Sequence, residues 1–314
     1  MATGPPDGIV DAMRSKPVDI KAMAALFLTV AFLAAGVLGA LQPATGIPSE
    51  VIQLTQFGPA LGVGVAALLW PGRVRELLAG LVSARSGQGV QGALLLLTAP
   101  LIIALSVSAY AALTGDARFA RPGAPFVLIA VAQLIGACGE EIGWRCFLQP
   151  LLRTRLGPLT ASVAVGVAWG VWHIQVFVRH PVYAGAFIMA AVSMSVVMGW
   201  ALEGIRASRL PLAGGFHALI NLGMLLFMDE ESGAVLPMVL FGVSCLAAAG
   251  LWTWTDVGRQ RSAASTSAST QASRQASTQP SASTSVSAPA PALAPAPVPA
   301  PVPARIPPIM DDVR

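Results

Sequence analysis

A few side chains in this sequence combine chemistry with helical spacing. Glu140 and Glu141 are adjacent, and Arg145 stands four residues after Glu141. Trp169 precedes His173 by four residues, and His217 precedes Asn221 by the same interval. Four residues is about one helical turn, so each such pair shares a face, whereas Glu140 is turned about 100° from Glu141. Glu141 and Arg145 therefore suit a carboxylate–guanidinium pair, which leaves the other glutamate a different partner. Gln133, seven residues before Glu140, falls on the face of Glu140. A histidine passes a proton between a carboxylate and water, and an imidazole with a carboxamide donates hydrogen bonds to a developing oxyanion. Together these are the parts of a peptide-hydrolysing site.

What must position them is a membrane bundle. Of 314 residues, 55% are hydrophobic and 11% charged, and the mean hydropathy is +0.69, against about 25% charged in a soluble domain. A soluble fold is excluded. Residues 22–255 hold only twenty Asp, Glu, Lys and Arg. Apolar segments of about bilayer length recur at 22–41, 51–70, 92–113, 125–148, 159–178, 182–202, 210–228 and 234–254. The expected fold is all-α, a polytopic bundle of about eight transmembrane helices, with a cytoplasmic segment 1–21 before it. An ionisable group at bilayer depth costs on the order of 3 kcal/mol, so it persists where it pairs or does chemistry. Away from span ends these groups are Glu140, Glu141, Arg145, His173 and His217.

Seventeen of the nineteen cations are arginines. They sit in short loops without interleaved aromatics, which points to topology and lipid headgroups and away from nucleic acid. Alternate loops and flanks hold twelve cations against three, Arg118, Arg121 and Arg179. The positive-inside rule then places both termini in the cytoplasm of a cell-membrane protein. Cys138, Cys146 and Cys245 have no metal-type spacing and read as small buried hydrophobes. Residues 256–314 turn to Ser/Thr/Ala and then to alternating Pro with Ala or Val, a composition that builds no core. A disordered tail with no assignable partner is expected there. Small-residue pairs Gly58/Gly62, Gly139/Gly143 and Gly166/Gly170 mark close helix packing.

Other polar and aromatic residues have plainer readings. His180, between Arg179 and Pro181, reads as solvated; Trp144, Trp172 and Trp200 read as packing or interfacial residues; Glu50, Gln53 and Gln56 read as a polar span mouth. A different function class also fits some of the residues, since Glu140, His173 and His217 are able to form a proton relay in a transporter. A relay needs neither adjacent glutamates nor a carboxamide one turn from a histidine.

Glu140-Glu141-Ile142-Gly143-Trp144-Arg145 resembles the EExxxR motif of the CPBP (Abi) intramembrane proteases, which include the type II CAAX prenyl endopeptidases. Trp169-Gly170-Val171-Trp172-His173 is similar to their FxxxH motif, with Trp for Phe, and His217-Ala218-Leu219-Ile220-Asn221 to their HxxxN/B motif. The likeness covers about residues 92–225. It implies that Glu140 and His173 activate water, that His217 and Asn221 hold the oxyanion, and that Glu141 and Arg145 orient the site. It implies a membrane-associated substrate, CAAX-like or a small hydrophobic peptide, and leaves a catalytically silent immunity or scaffold protein as the rival within the same fold. A metal-free glutamate mechanism with no cofactor is the expectation. Zinc held by Glu140, His173 and His217 is the alternative, weakened by the absence of an HExxH helix. One difficulty concerns depth: a fifth span starting at Leu159 puts His173 about 21 Å along its helix, while Glu140 lies nearer the cytoplasmic end of span four. Either the fourth helix continues past the bilayer or the fifth begins deeper.

Overall fold

A computed structural model describes residues 19–79, 81, 89–116, 119–203, 205, 208–228 and 233–255. Expectations for residues 1–18 and for the 256–314 tail lie outside the described residues. Within them every regular element is helical: α1 (Ile20–Thr45), α2 (Gly58–Leu69), α3 (Pro71–Leu77), α4 (Gly89–Thr114), α5 (Phe126–Gly143), α6 (Pro158–Trp172), α7 (Pro181–Ala201), α8 (Arg209–Phe227) and α9 (Val235–Thr255). The all-α membrane bundle read from the sequence is the architecture observed. Among the described residues six helices are long and apolar enough to cross a membrane, counting α5 with its continuation to Arg153. The other two apolar segments are shorter, Leu54–Leu69 and Pro158–Trp172. The chain is a multi-pass integral membrane protein.

Local sequence explains the helix ends that matter. Asp19 caps α1 by accepting the amide N–H of Lys21 at 2.9 Å, and Gly46 ends it at φ 67°, where a Cβ would be strained. Pro150 has no N–H to give to the carbonyl four residues earlier. The chain accommodates this with a π turn over Trp144–Leu148, in which the Gln149 N–H reaches back to the Trp144 carbonyl, before a last α turn at Gln149–Arg153.

That continuation removes the depth difficulty. Glu140 lies thirteen residues from Arg153, about 20 Å, and His173 lies fifteen residues from Pro158, about 22 Å. The two are level in the bundle. The fifth apolar segment is not one helix to residue 178, however. It breaks at His173 and resumes as a 3-10 turn over Ile174–Val178. His173 Nδ1 lies 2.9 Å from the Trp169 carbonyl, the acceptor that the His173 amide would use in a continued α-helix. The amide turns instead to the Gly170 carbonyl at 3.3 Å.

Helix α6 runs along α7, α2 along α1, and α8 lies against both α4 and α5, while α2 braces α5 from the other side. The small-residue pairs sit at these contacts. A Cβ on Gly143 would strike Pro59 of α2 and the Phe27 ring of α1, and one on Gly166 would come 2.6 Å from the Val192 Cα of α7. Outward faces carry exposed apolar side chains such as Leu68, Leu101, Val127 and Leu251, as a lipid-facing surface requires.

Candidate active site

The six residues singled out by spacing come together between α5, the end of α6 and α8. Four of them, Glu140, His173, His217 and Asn221, line one cavity of about 600 Å³, together with Trp169 and Gln133. Glu141 and Arg145 lie behind that wall, 0% and 1% exposed. The polar span mouth also joins the site, since Glu50, Gln53 and Gln56 line the same cavity.

Hydrogen bonds fix most of these groups. Glu140 Oε2 accepts the Trp169 indole N–H at 2.8 Å. His173 Nδ1 faces a carbonyl oxygen, which only accepts, so Nδ1 carries the proton and the neutral ring has its lone pair on Nε2. His217 Nδ1 lies 2.9 Å from Glu141 Oε1. An ionised carboxylate likewise only accepts, so that nitrogen also carries a proton. A second donation from His217 Nε2 therefore requires the imidazolium, whose charge the Glu141 carboxylate balances. Asn221 donates from Nδ2 to Gln133 Oε1 at 3.1 Å, and Gln133 is itself anchored by donating to the Glu50 carbonyl at 3.2 Å. The Asn221 carboxamide is thus oriented with its second N–H still to give.

Arg145 Nε stands 3.4 Å from Glu141 Oε2, an ion pair by charge and distance. None of the guanidinium nitrogens has hydrogen-bond geometry to a partner among the described residues. Its plane instead covers Trp169, 4.8 Å from the ring centroid. Trp169 is therefore the common neighbour: it bonds Glu140, lies under Arg145, and meets His173 and His217 edge to face at 5.9 and 5.1 Å between centroids. Sequence spacing identified it only as the aromatic of its motif. Its N–H was the available signal, because an indole N–H in an apolar helix needs an acceptor.

The remaining candidates do not line the cavity. His180 is exposed and caps α7 by accepting the Val182 N–H at 3.2 Å. Trp144 and Trp172 are buried and pack edge to face on one another, and the three cysteines are free.

Comparison with known proteins matches part of this chain to a family model. Residues 122–223 match the type II CAAX prenyl endopeptidase Rce1-like family. The matched segment contains all three motifs, and the resemblance read from them holds. Lysostaphin resistance protein A of Staphylococcus epidermidis is 24% identical over 226 residues, covering 71% of this chain and 59% of that protein. Its namesake in Staphylococcus aureus strain Newman is 24% identical over 212 residues, covering 65% of this chain and 49% of that protein. The chain spans about half to three-fifths of the length of these curated relatives. At the coarse level, the Rce1-like match supports a membrane endopeptidase fold.

As a zinc site, Glu140, His173 and His217 fit only in part. Protein acceptors on both Nδ1 atoms would suit histidines bound through Nε2. Yet no three His, Cys, Asp or Glu side chains among the described residues are grouped closely enough to hold one ion.

Proposed function

We propose that this chain is an intramembrane endopeptidase that hydrolyses a peptide bond of a membrane-associated substrate with a glutamate-activated water. The observation that carries the reading is the meeting of Glu140, His173, His217 and Asn221 on one cavity wall, each oriented by a further group behind or beside it. Water between Glu140 and His173 Nε2 gives a proton to the Glu140 carboxylate as its oxygen attacks the carbonyl carbon. The carbonyl π electrons move to oxygen, where the His217 imidazolium and the Asn221 carboxamide donate to the oxyanion. Collapse of the tetrahedral intermediate breaks the C–N bond, and the proton held by Glu140 passes to the leaving amine. Glu141, Arg145 and Trp169 are positioning residues. The chain lies in the cell membrane with both termini in the cytoplasm, on the strength of its twelve-to-three cation asymmetry.

The grouping of these side chains does not suit an ion, and the reaction as proposed is metal-free. Purified protein dialysed exhaustively against a strong chelator is expected to retain hydrolysis of a quenched fluorescent peptide. Activity lost on chelation and regained with zinc would replace the glutamate mechanism with a metal one.

A Trp169→Phe variant separates the indole N–H from its ring. Turnover is expected to fall about tenfold, the scale of one hydrogen bond to a charged group, with KM little changed because the ring still fills its place. Unchanged kcat would show that the bond to Glu140 has no part in the reaction.

A second reading is a catalytically silent immunity or scaffold protein of the same fold; the relatives are named for resistance and not for a protease activity. It predicts that replacing Glu140 leaves the biological effect intact.

A further inference from the structure

We propose that the reaction cavity opens on the extracytoplasmic side of the membrane and takes an unfolded, partly apolar peptide segment presented from outside, as on an exported protein, and not a cytoplasmic lipidated tail. The peptide part rests on the endopeptidase reading; the side rests on geometry and charge.

The cavity is lined from one end of the bundle. Besides the site it includes Glu50 and Gln53 before α2, Arg121 before α5, Gln175 after α6, Tyr183 at the start of α7 and Leu225 at the end of α8. Contacts between loops confirm that these connections share an end. Glu50 accepts the amide N–H groups of Gly123 and Ala124 at 3.2 and 3.1 Å, and the Ala120 N–H reaches the Leu226 carbonyl at 2.8 Å. Connectivity puts only three cations in the loops of this end, Arg118, Arg121 and Arg179.

The opposite end is likewise joined to itself. Arg153 pairs with Glu203, and the Leu210 N–H reaches the Leu81 carbonyl at 3.3 Å. Its loops and flanks carry the other twelve cations, so the positive-inside rule makes it the cytoplasmic end. Between that end and the site, Trp144, Phe147, Leu148 and Leu151 are at most 2% exposed and pack with Phe27 and Met23. This layer closes the cytoplasmic approach.

The opening sets the substrate class. About 600 Å³ is the size of a small-ligand cleft, which admits an extended chain and excludes a folded domain. Phe187, Met194, Met224 and Phe241 on its wall suit apolar side chains beside the scissile bond, while Glu50, Gln53 and Arg121 at the rim suit a polar remainder.

Two measurements test this, and the first needs no catalysis. Arg121 and Arg75 are both exposed, on opposite ends, and the wild type with its three cysteines serves as the blank. In intact cells a membrane-impermeant maleimide is expected to label Arg121→Cys, and to label Arg75→Cys only after permeabilisation. The reverse pattern, or both or neither reacting in intact cells, overturns the proposed side. In the second, an impermeant quenched fluorescent peptide is added to right-side-out and to inverted membrane vesicles. Hydrolysis in right-side-out vesicles alone, absent with Glu140→Gln, supports extracytoplasmic entry; hydrolysis in intact inverted vesicles alone overturns it. Correct labelling with no hydrolysis of any peptide, even in detergent, removes the endopeptidase reading and with it the substrate class, while the side of the opening stands.

Discussion

Glu140→Gln is expected to insert, fold and resist heat as the wild type does, yet to lose at least about 100-fold in peptide turnover, within the range assigned to a general base. The carboxamide is nearly the same size as the carboxylate, and its carbonyl oxygen still accepts the Trp169 N–H that now holds Glu140 at 2.8 Å. What it lacks is the ability to take a proton from water. The measurement is kcat on the purified variant beside its thermal unfolding midpoint. Turnover near the wild-type rate would remove Glu140 from the reaction and move the role of base to another group of the cavity, such as His173 Nε2.

Arg145→Ala is expected to damage stability first and activity with it. Arg145 is 1% exposed and Glu141 0%, so the substitution leaves the buried Glu141 with His217 as its remaining partner on Oε1 and none on Oε2, a loss of about 3–5 kcal/mol for a broken buried pair. It also uncovers the Trp169 face on which the guanidinium lies. Arg145→Lys is expected to recover only part of the loss, because an ammonium keeps the charge but not the planar stack. Yield in membranes and thermal unfolding in detergent measure both variants. If Arg145→Ala matches the wild type in each, the buried pair does not support the fold.

The sequence revealed the bundle because apolar runs of bilayer length are a strong signal, and each of the eight segments falls on a helix. The two short ones were harder to read. Apolar composition continues past His173 through Ile174–Val178, but the side chain of His173 takes the carbonyl that its own helix needed. The four-residue spacings also paired Glu141 with Arg145 and His173 with Trp169, and both pairs are in contact. Partners across helices were beyond such spacing. Nothing in a one-dimensional pattern pairs Glu141 with His217, Trp169 with Glu140 or Gln133 with Asn221, because each depends on how α5, α6 and α8 are rotated against one another. In the sequence the depth of Glu140 stands between two alternatives for a similar reason, and the π turn that carries α5 past Pro150 to Arg153 selects the continuation of the fourth span's helix.

The most direct test of the central claim needs no prior substrate. Membranes from cells expressing the wild type or Glu140→Gln at equal levels are compared by mass spectrometry of all peptide termini. A set of new N- and C-termini is predicted in the wild-type membranes and missing from the variant, with cleavage beside apolar residues. Identical termini in the two membranes would contradict an endopeptidase built on Glu140.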